Sequence, residues 1–282
     1  MLKIKHIAAL LLAALALSAA AAKTSQKMAN ATDKKDVLVD LTTSMGNIRL
    51  LLYGDTPKHL DNFVKLVNDG YYDGLLFHRV INDFMVQTGD PTSRNAPAGK
   101  MLGMGDPDYK IDAEFVYPKH FHKRGALAAA REGDSTNPAK QSSGSQFYIV
   151  TGKTYTDAQL DQMDARRIMQ QKQTIFNSLV QEHRDTIMSL RRERNQAALQ
   201  ELQDKLIAQT DSMAAQAPDT LTAAQREAYS TLGGTPHLDG SYTVFGEVVE
   251  GMEVVDSIQK AETDANDRPL SDIKIISAKV VR

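Results

Sequence analysis

The sequence predicts a mainly β domain interrupted by a long α-helical insertion, and three observations carry that reading. Short apolar runs of strand length recur between Gly-, Pro-, Asn- and Asp-rich loops over residues 36–153. The same texture resumes at residues 233–282, and many short strands divided by turn signals indicate a closed barrel or a sandwich. Between these parts, residues 153–217 contain neither Gly nor Pro and are crowded with Gln, Arg, Glu, Asp, Leu and Met, a composition that favours helix.

The first elements form a hairpin. Val37, Val39 and Leu41 mark one face of a strand, Gly46-Asn47 marks a turn, and Ile48, Leu50 and Leu52 mark the returning strand. Thr56-Pro57 then opens a helix whose Leu60, Phe63, Val64 and Val67 share one face, and Gly70 stops it. Further strands are expected at residues 75–81, 84–88, 126–130, 147–150 and 243–249. A short helix at 252–258 and a final strand at 273–281 complete the domain. In the insertion, Thr156 with Gln159 and Thr222 with Gln225 read as capping boxes. One helix of about 60 residues would be roughly 90 Å long. A helical hairpin turning within residues 183–195 is therefore expected, followed by a third, shorter helix. The expected domains are 36–153 with 233–282 for the barrel and 154–232 for the insertion.

Composition excludes several kinds of chemistry. The 282 residues carry a net charge of -2 and no Cys, so disulfides, thiolate metal sites and a cysteine nucleophile are ruled out. Near-neutral charge also argues against a nucleic-acid partner. Residues 1–22 read as a signal peptide, with Lys3 and Lys5 before an apolar run and small residues at its end, and residues 23–35 as a polar linker. The expectation is an exported, periplasmic protein without stable membrane insertion once the signal is removed.

Candidate sites are few. Gly144-Ser145-Gln146 lacks the spacing of a nucleophile elbow. His120 and His122, with Glu114 upstream, read as a solvated loop rather than a metal site, and no metal or cofactor is expected. The run Phe77-His78-Arg79-Val80-Ile81-Asn82-Asp83-Phe84-Met85-Val86-Gln87-Thr88-Gly89-Asp90 stands out because it sets a guanidinium beside apolar side chains. The pattern alone leaves Arg79 open as either a site residue or a surface ion-pair member.

That run resembles the signature of the cyclophilin-type peptidyl-prolyl isomerases. Two further segments match in the family's order: Gly125-Ala126-Leu127-Ala128-Ala129-Ala130 followed by Ser143-Gly144-Ser145-Gln146-Phe147-Tyr148-Ile149, and residues 237–248 followed by Glu250-Gly251-Met252. The resemblance covers residues 36–153 and 233–282 but not the insertion. It implies an eight-stranded antiparallel barrel capped by two helices, acting on X-Pro bonds of unfolded exported proteins. By position, Arg79 is the implied catalytic residue, with Gln87 holding its guanidinium. Phe84, Met85, Tyr148 and Leu238 are implied to form a proline pocket, with Gln146 a polar neighbour. Ala130 and Arg131 are implied to receive the residues before proline, largely through backbone contacts, and His237 and Tyr242 to form the rim. His237 stands where the family often has Trp, so weak cyclosporin binding is expected. Two alternatives stay open for the insertion: a chaperone surface for clients, or a self-association device, with burial of its apolar stripe within a monomer favoured.

Overall fold

The computed structural model describes residues 34–281. The expected signal peptide and linker residues 23–33 lie outside them. The described residues fall into two compact units, one made of 34–152 with 234–281 and the other of Lys153–Gly233.

In the first unit an eight-stranded antiparallel sheet runs in the order β10-β1-β2-β9-β6-β8-β4-β3. Its strands are β1 (Val37–Thr43), β2 (Gly46–Leu52), β3 (Arg79–Ile81), β4 (Met85–Thr88), β6 (Ala126–Ala129), β8 (Phe147–Val150), β9 (Val244–Glu250) and β10 (Ile275–Val281). A two-residue ladder, β5 (Lys110–Ile111) with β7 (Ser142–Ser143), lies outside that sheet. The sheet curls until its two ends meet: Phe77 N–H donates to Ile273 O at 2.9 Å and Ile275 N–H to Leu75 O at 2.9 Å. The expected strand at 75–81 is thus shorter than its apolar run. Its first residues instead join the two sheet edges, pairing at Leu76 with Lys274.

The period-two alternation of the strands builds two apolar faces. Val39, Leu41, Ile48, Leu50, Val86, Leu127, Phe147 and Ile149 point into the main core. There they meet Leu60, Phe63 and Leu66 of α1 (Pro57–Asn68) and Val255 and Ile258 of α6 (Met252–Gln259). Met85, Ala126, Ala128, Tyr148, Val150 and Val244 point the other way and form a second cluster. The candidate site lies on that second face.

Helix α1 is capped from a distance. Thr56 makes no side-chain cap bond, but the Glu114 carboxylate accepts the N–H groups of Lys58 and His59, both at 3.0 Å. A carboxylate suits the positive end of a helix. Glu114 is therefore a structural anchor rather than a member of a metal cluster.

The second unit contains α2 (Asp157–Glu182), α3 (Arg184–Arg192), α4 (Gln196–Gln216) and α5 (Ala223–Thr231). Both expected capping boxes are formed. The segment expected as a turn contains α3, so the unit holds four helices rather than three. Lys172 pairs with Asp211 at 2.7 Å and Arg167 with Asp219 at 2.6 Å, which sets α2 and α4 antiparallel. Arg226 of α5 bridges Asp161 and Asp164 of α2 at 2.6 and 2.8 Å.

Candidate active site

Register places the candidate residues. Arg79 lies opposite Gln87, Gln87 opposite Tyr148, and Tyr148 opposite Ala128, one row across β3, β4, β8 and β6. Because β4 alternates, Met85 and Gln87 share the outer face while Val86 enters the core. The small side chains of Ala126 and Ala128 leave room in front of the row. The result is a cavity of about 290 Å³ lined by Arg79, Phe84, Met85, Gln87, Ala130, Arg131, Tyr148, Leu238 and Tyr242, together with His78, Leu102, Gly103 and Asn266. His237 adds to its edge by stacking on Phe84, with ring centroids 5.6 Å apart. Gln146 instead lines an adjoining cavity of about 270 Å³ that shares Gln87, Gly103, Ala130 and Arg131.

Two guanidinium groups reach the cavity, and their surroundings differ. Arg131 is occupied: Nε donates to Ser241 O at 2.8 Å, Nη1 donates to Glu132 O at 2.8 Å and pairs with Asp134 at 2.7 Å. Its guanidinium also stacks 4.3 Å from the Tyr242 ring centroid, and the side chain is only 4% exposed. Arg79 has a looser setting, with Nε 3.6 Å from Asp267 and the side chain 42% exposed. Its guanidinium carbon lies 6.0 Å from the Phe84 ring centroid. Arg79 is therefore the more exposed and less engaged of the two cations, with donors open to a ligand.

Two implied contacts take a different form. Gln87 donates its amide to Gln146 Oε1 at 3.0 Å, and the group set against the Arg79 guanidinium is Asp267. Strand register alone could not reveal this, because Asp267 arrives from the loop before β10. Ala130 has both backbone groups engaged: its N–H donates to Gln146 O at 3.0 Å and its carbonyl accepts from Ser143 N–H at 2.8 Å. Ala130 thus offers the cavity its methyl group and not a free backbone pair.

The polar neighbours are linked to the loop above the cavity. Gln146 Nε2 donates to Gly103 O at 3.1 Å and Gly105 O at 2.5 Å. Gly103 N–H donates to buried Asp90, which also accepts from Thr92 N–H at 2.7 Å. Burial raises the Asp90 pKa, but these hydrogen bonds outweigh it and hold the carboxyl below its ordinary value.

Beneath the cavity lies a buried chain. His122, expected in a solvated loop, is fully buried. Its Nδ1 is 3.1 Å from Asp239 Oδ1 and its Nε2 is 3.0 Å from the Tyr148 hydroxyl. With Asp239 accepting from Nδ1–H, Nε2 accepts the hydroxyl proton of Tyr148. Burial pushes the Tyr148 pKa well up, so the hydroxyl stays protonated and available to donate. His122 N–H also donates to Asp239 at 2.9 Å and its carbonyl accepts from Thr235 N–H at 2.8 Å. One histidine therefore joins the cavity floor to the segment carrying His237 and Leu238. The other member of the pair, His120, stacks on Tyr53 with centroids 3.9 Å apart and meets Asp55 at 2.8 Å.

Two more histidines come from signals that local sequence could not resolve. His78, within the quoted motif, is 3% exposed and lines the cavity. Burial lowers its pKa to about 4 against the opposing pull of Asp90, so it is neutral near pH 7. His59 contacts Glu114 at 2.6 Å and Ser142 Oγ at 2.9 Å, the order of a hydrolytic triad. Ser142 is 1% exposed and the void beside His59 holds about 10 Å³, which leaves no room for a substrate.

The chain matches the family described as cyclophilin type peptidyl-prolyl cis-trans isomerase/CLD over residues 38–211 and 210–280. A protein of Staphylococcus epidermidis named "Putative peptidyl-prolyl cis-trans isomerase" is 30% identical over 247 residues, covering 87% of this chain and 92% of that protein. A protein of the same name from Staphylococcus haemolyticus is 28% identical over 247 residues, covering 87% and 91%. The solved structure of a cyclophilin type peptidyl-prolyl cis-trans isomerase from Cryptosporidium parvum is similar in fold, with a TM-score of 0.50 at 19% identity, covering 88% of this chain and 99% of that one.

Proposed function

The chain belongs to the cyclophilin-type peptidyl-prolyl cis-trans isomerase family and has that enzymatic activity, and from this premise we propose that Arg79 carries the catalysis. An amide rotates slowly because resonance stiffens its C–N bond, a barrier of roughly 18–20 kcal/mol. Uncatalysed X-Pro isomerisation accordingly takes about 10–100 s. At the twisted transition state resonance is lost, and the prolyl nitrogen becomes pyramidal with a localised lone pair. A fixed cationic donor meets that lone pair only there, which is the differential binding that lowers a barrier.

The observation that carries this reading is the contrast between the two arginines. Arg131 commits its Nε and Nη1 and is 4% exposed, whereas Arg79 is 42% exposed and has Asp267 at 3.6 Å as its ion-pair partner. Phe84, Met85, Tyr148 and Leu238 clamp the proline ring, so that the carbonyl before it rotates while the ring stays still. Their apolar surface also excludes water and strengthens the Arg79 interaction. Gln146, through Gln87, holds the polar side of the site.

The substrates are X-Pro segments of exported proteins still folding, a reading supported by the Lys-led apolar start of residues 1–22. The test of the catalytic assignment compares wild type with Arg79→Ala in a cis-to-trans proline peptide assay. The variant is expected to lose most of its acceleration, and equal rates would refute the assignment.

A further inference from the structure

We propose that the helical unit carries a second polypeptide-binding site, a groove between α2, α3 and α4 that receives an apolar segment bearing carboxylates. The groove encloses about 850 Å³, within the usual range for ligand sites. Leu206 is buried at its base, and Phe176, Val180, Ile187 and Leu202 form half-buried walls. Helix α3 places Ile187 and Met188 on the groove, yet not one residue of α3 is buried. An amphipathic helix ordinarily hides its apolar stripe against a neighbour. Here the stripe stays open, and Met188 is 48% exposed. Methionine adapts its shape to varied apolar partners, which suits a surface taking more than one sequence.

Charge selects the kind of segment. The groove is lined by Arg184 and Arg191 and by four glutamines, and by no Asp or Glu. Elsewhere in the unit Arg167, Lys172 and Arg226 each have a carboxylate within 2.8 Å. Among the described residues Arg184 and Arg191 have no such partner, nor do Arg166, Arg192, Arg194 and Lys205, but only Arg184 and Arg191 line the groove. Two guanidinium groups beside an open apolar surface are complemented by a chain that brings carboxylates next to Leu- or Phe-like side chains. A lysine-bearing segment would be repelled, and a nucleic acid would leave the apolar walls unfilled. The site is independent of the proline cavity and of the catalytic role given to Arg79.

Fluorescence anisotropy of the full chain tests the proposal with two proline-free synthetic peptides, one alternating Leu and Phe with Glu and the other with Lys. The Glu peptide is expected to bind on the order of tenfold more tightly, the effect of two exposed ion pairs. An Arg184→Glu, Arg191→Glu variant is expected to reverse that preference while keeping wild-type turnover of an X-Pro tetrapeptide. The pair Arg184→Gln, Arg191→Gln, expected to abolish the preference, replaces it if circular dichroism shows lost helix. No binding of either peptide, or an unchanged preference in the variants, would overturn the proposal. So would sedimentation showing a wild-type dimer that the variants dissociate, since a second copy would then cover the groove.

Discussion

Replacing His122 with Phe keeps a ring of similar size in the buried chain beneath the cavity while removing both of its ring nitrogens. The Tyr148 hydroxyl then loses its acceptor at 3.0 Å, and Asp239 loses the donor at 3.1 Å while keeping the His122 backbone N–H. A buried hydroxyl left without a partner costs about 1–3 kcal/mol, and losing a hydrogen bond to a charged group about 1.5–3 kcal/mol, for a total of roughly 2.5–6 kcal/mol. For a domain of this size that corresponds to a fall in Tm of roughly 5–24 °C. Thermal unfolding followed by circular dichroism measures the loss. Adding Tyr148→Phe to the variant removes the stranded hydroxyl and is expected to restore about 1–3 kcal/mol. Because the floor of the cavity shifts while Arg79 stays in place, KM for an X-Pro peptide rises more than kcat falls. A His122→Phe protein as stable as wild type, or strictly additive effects of the two substitutions, would refute the coupling.

Stability also depends on pH through His78, whose pKa falls from 6.5 to about 4 because burial disfavours its charged form. The unfolded chain takes up this proton as pH drops through 6.5 while the folded chain resists, so stability declines from pH 6.5 to 4 by about 3 kcal/mol. His78→Gln should flatten that decline in urea midpoints, and an unchanged slope would contradict the account. Burial lowers the His237 pKa too and adds to the same decline, whereas the depressed pKa values of Asp90 and Glu114 act at lower pH. At the rim, His237 stacked on Phe84 is expected to leave the enzyme weakly inhibited by cyclosporin, and His237→Trp to tighten inhibition. Nanomolar inhibition of the wild type would count against it.

The fold was legible wherever a local period decides it. The hairpin of β1 and β2 follows from alternation around Gly46, and α1 from Leu60, Phe63 and Val67 after Pro57. The capping boxes at Thr156 and Thr222 reported two helix starts. What local text does not contain is the partner brought from a distance. Glu114 caps α1 across 55 or more positions, and the barrel closes through Leu76 and Lys274. Helix α3 interrupts the expected turn because Arg184 to Arg192 is itself amphipathic, a period easily read as part of a longer stripe. At the site, the motif brought Arg79, Phe84, Met85 and Gln87 together because short strands hold them in register. The partner of Arg79 and the burial of His122 depend on Asp267 and Asp239, which arrive from loops far along the chain.

The central claim is that Arg79 acts on the twisted amide and not on the bound ground state. Exchange NMR on an X-Pro peptide at equilibrium, read together with the peptide Kd, tests this most directly in wild type and Arg79→Ala. Loss of one donor directed at the transition state predicts a fall in catalysed exchange of about 10²–10³-fold with little change in Kd. An exchange rate that falls only in proportion to a weakened Kd would contradict it, because Arg79 would then contribute to uniform binding alone.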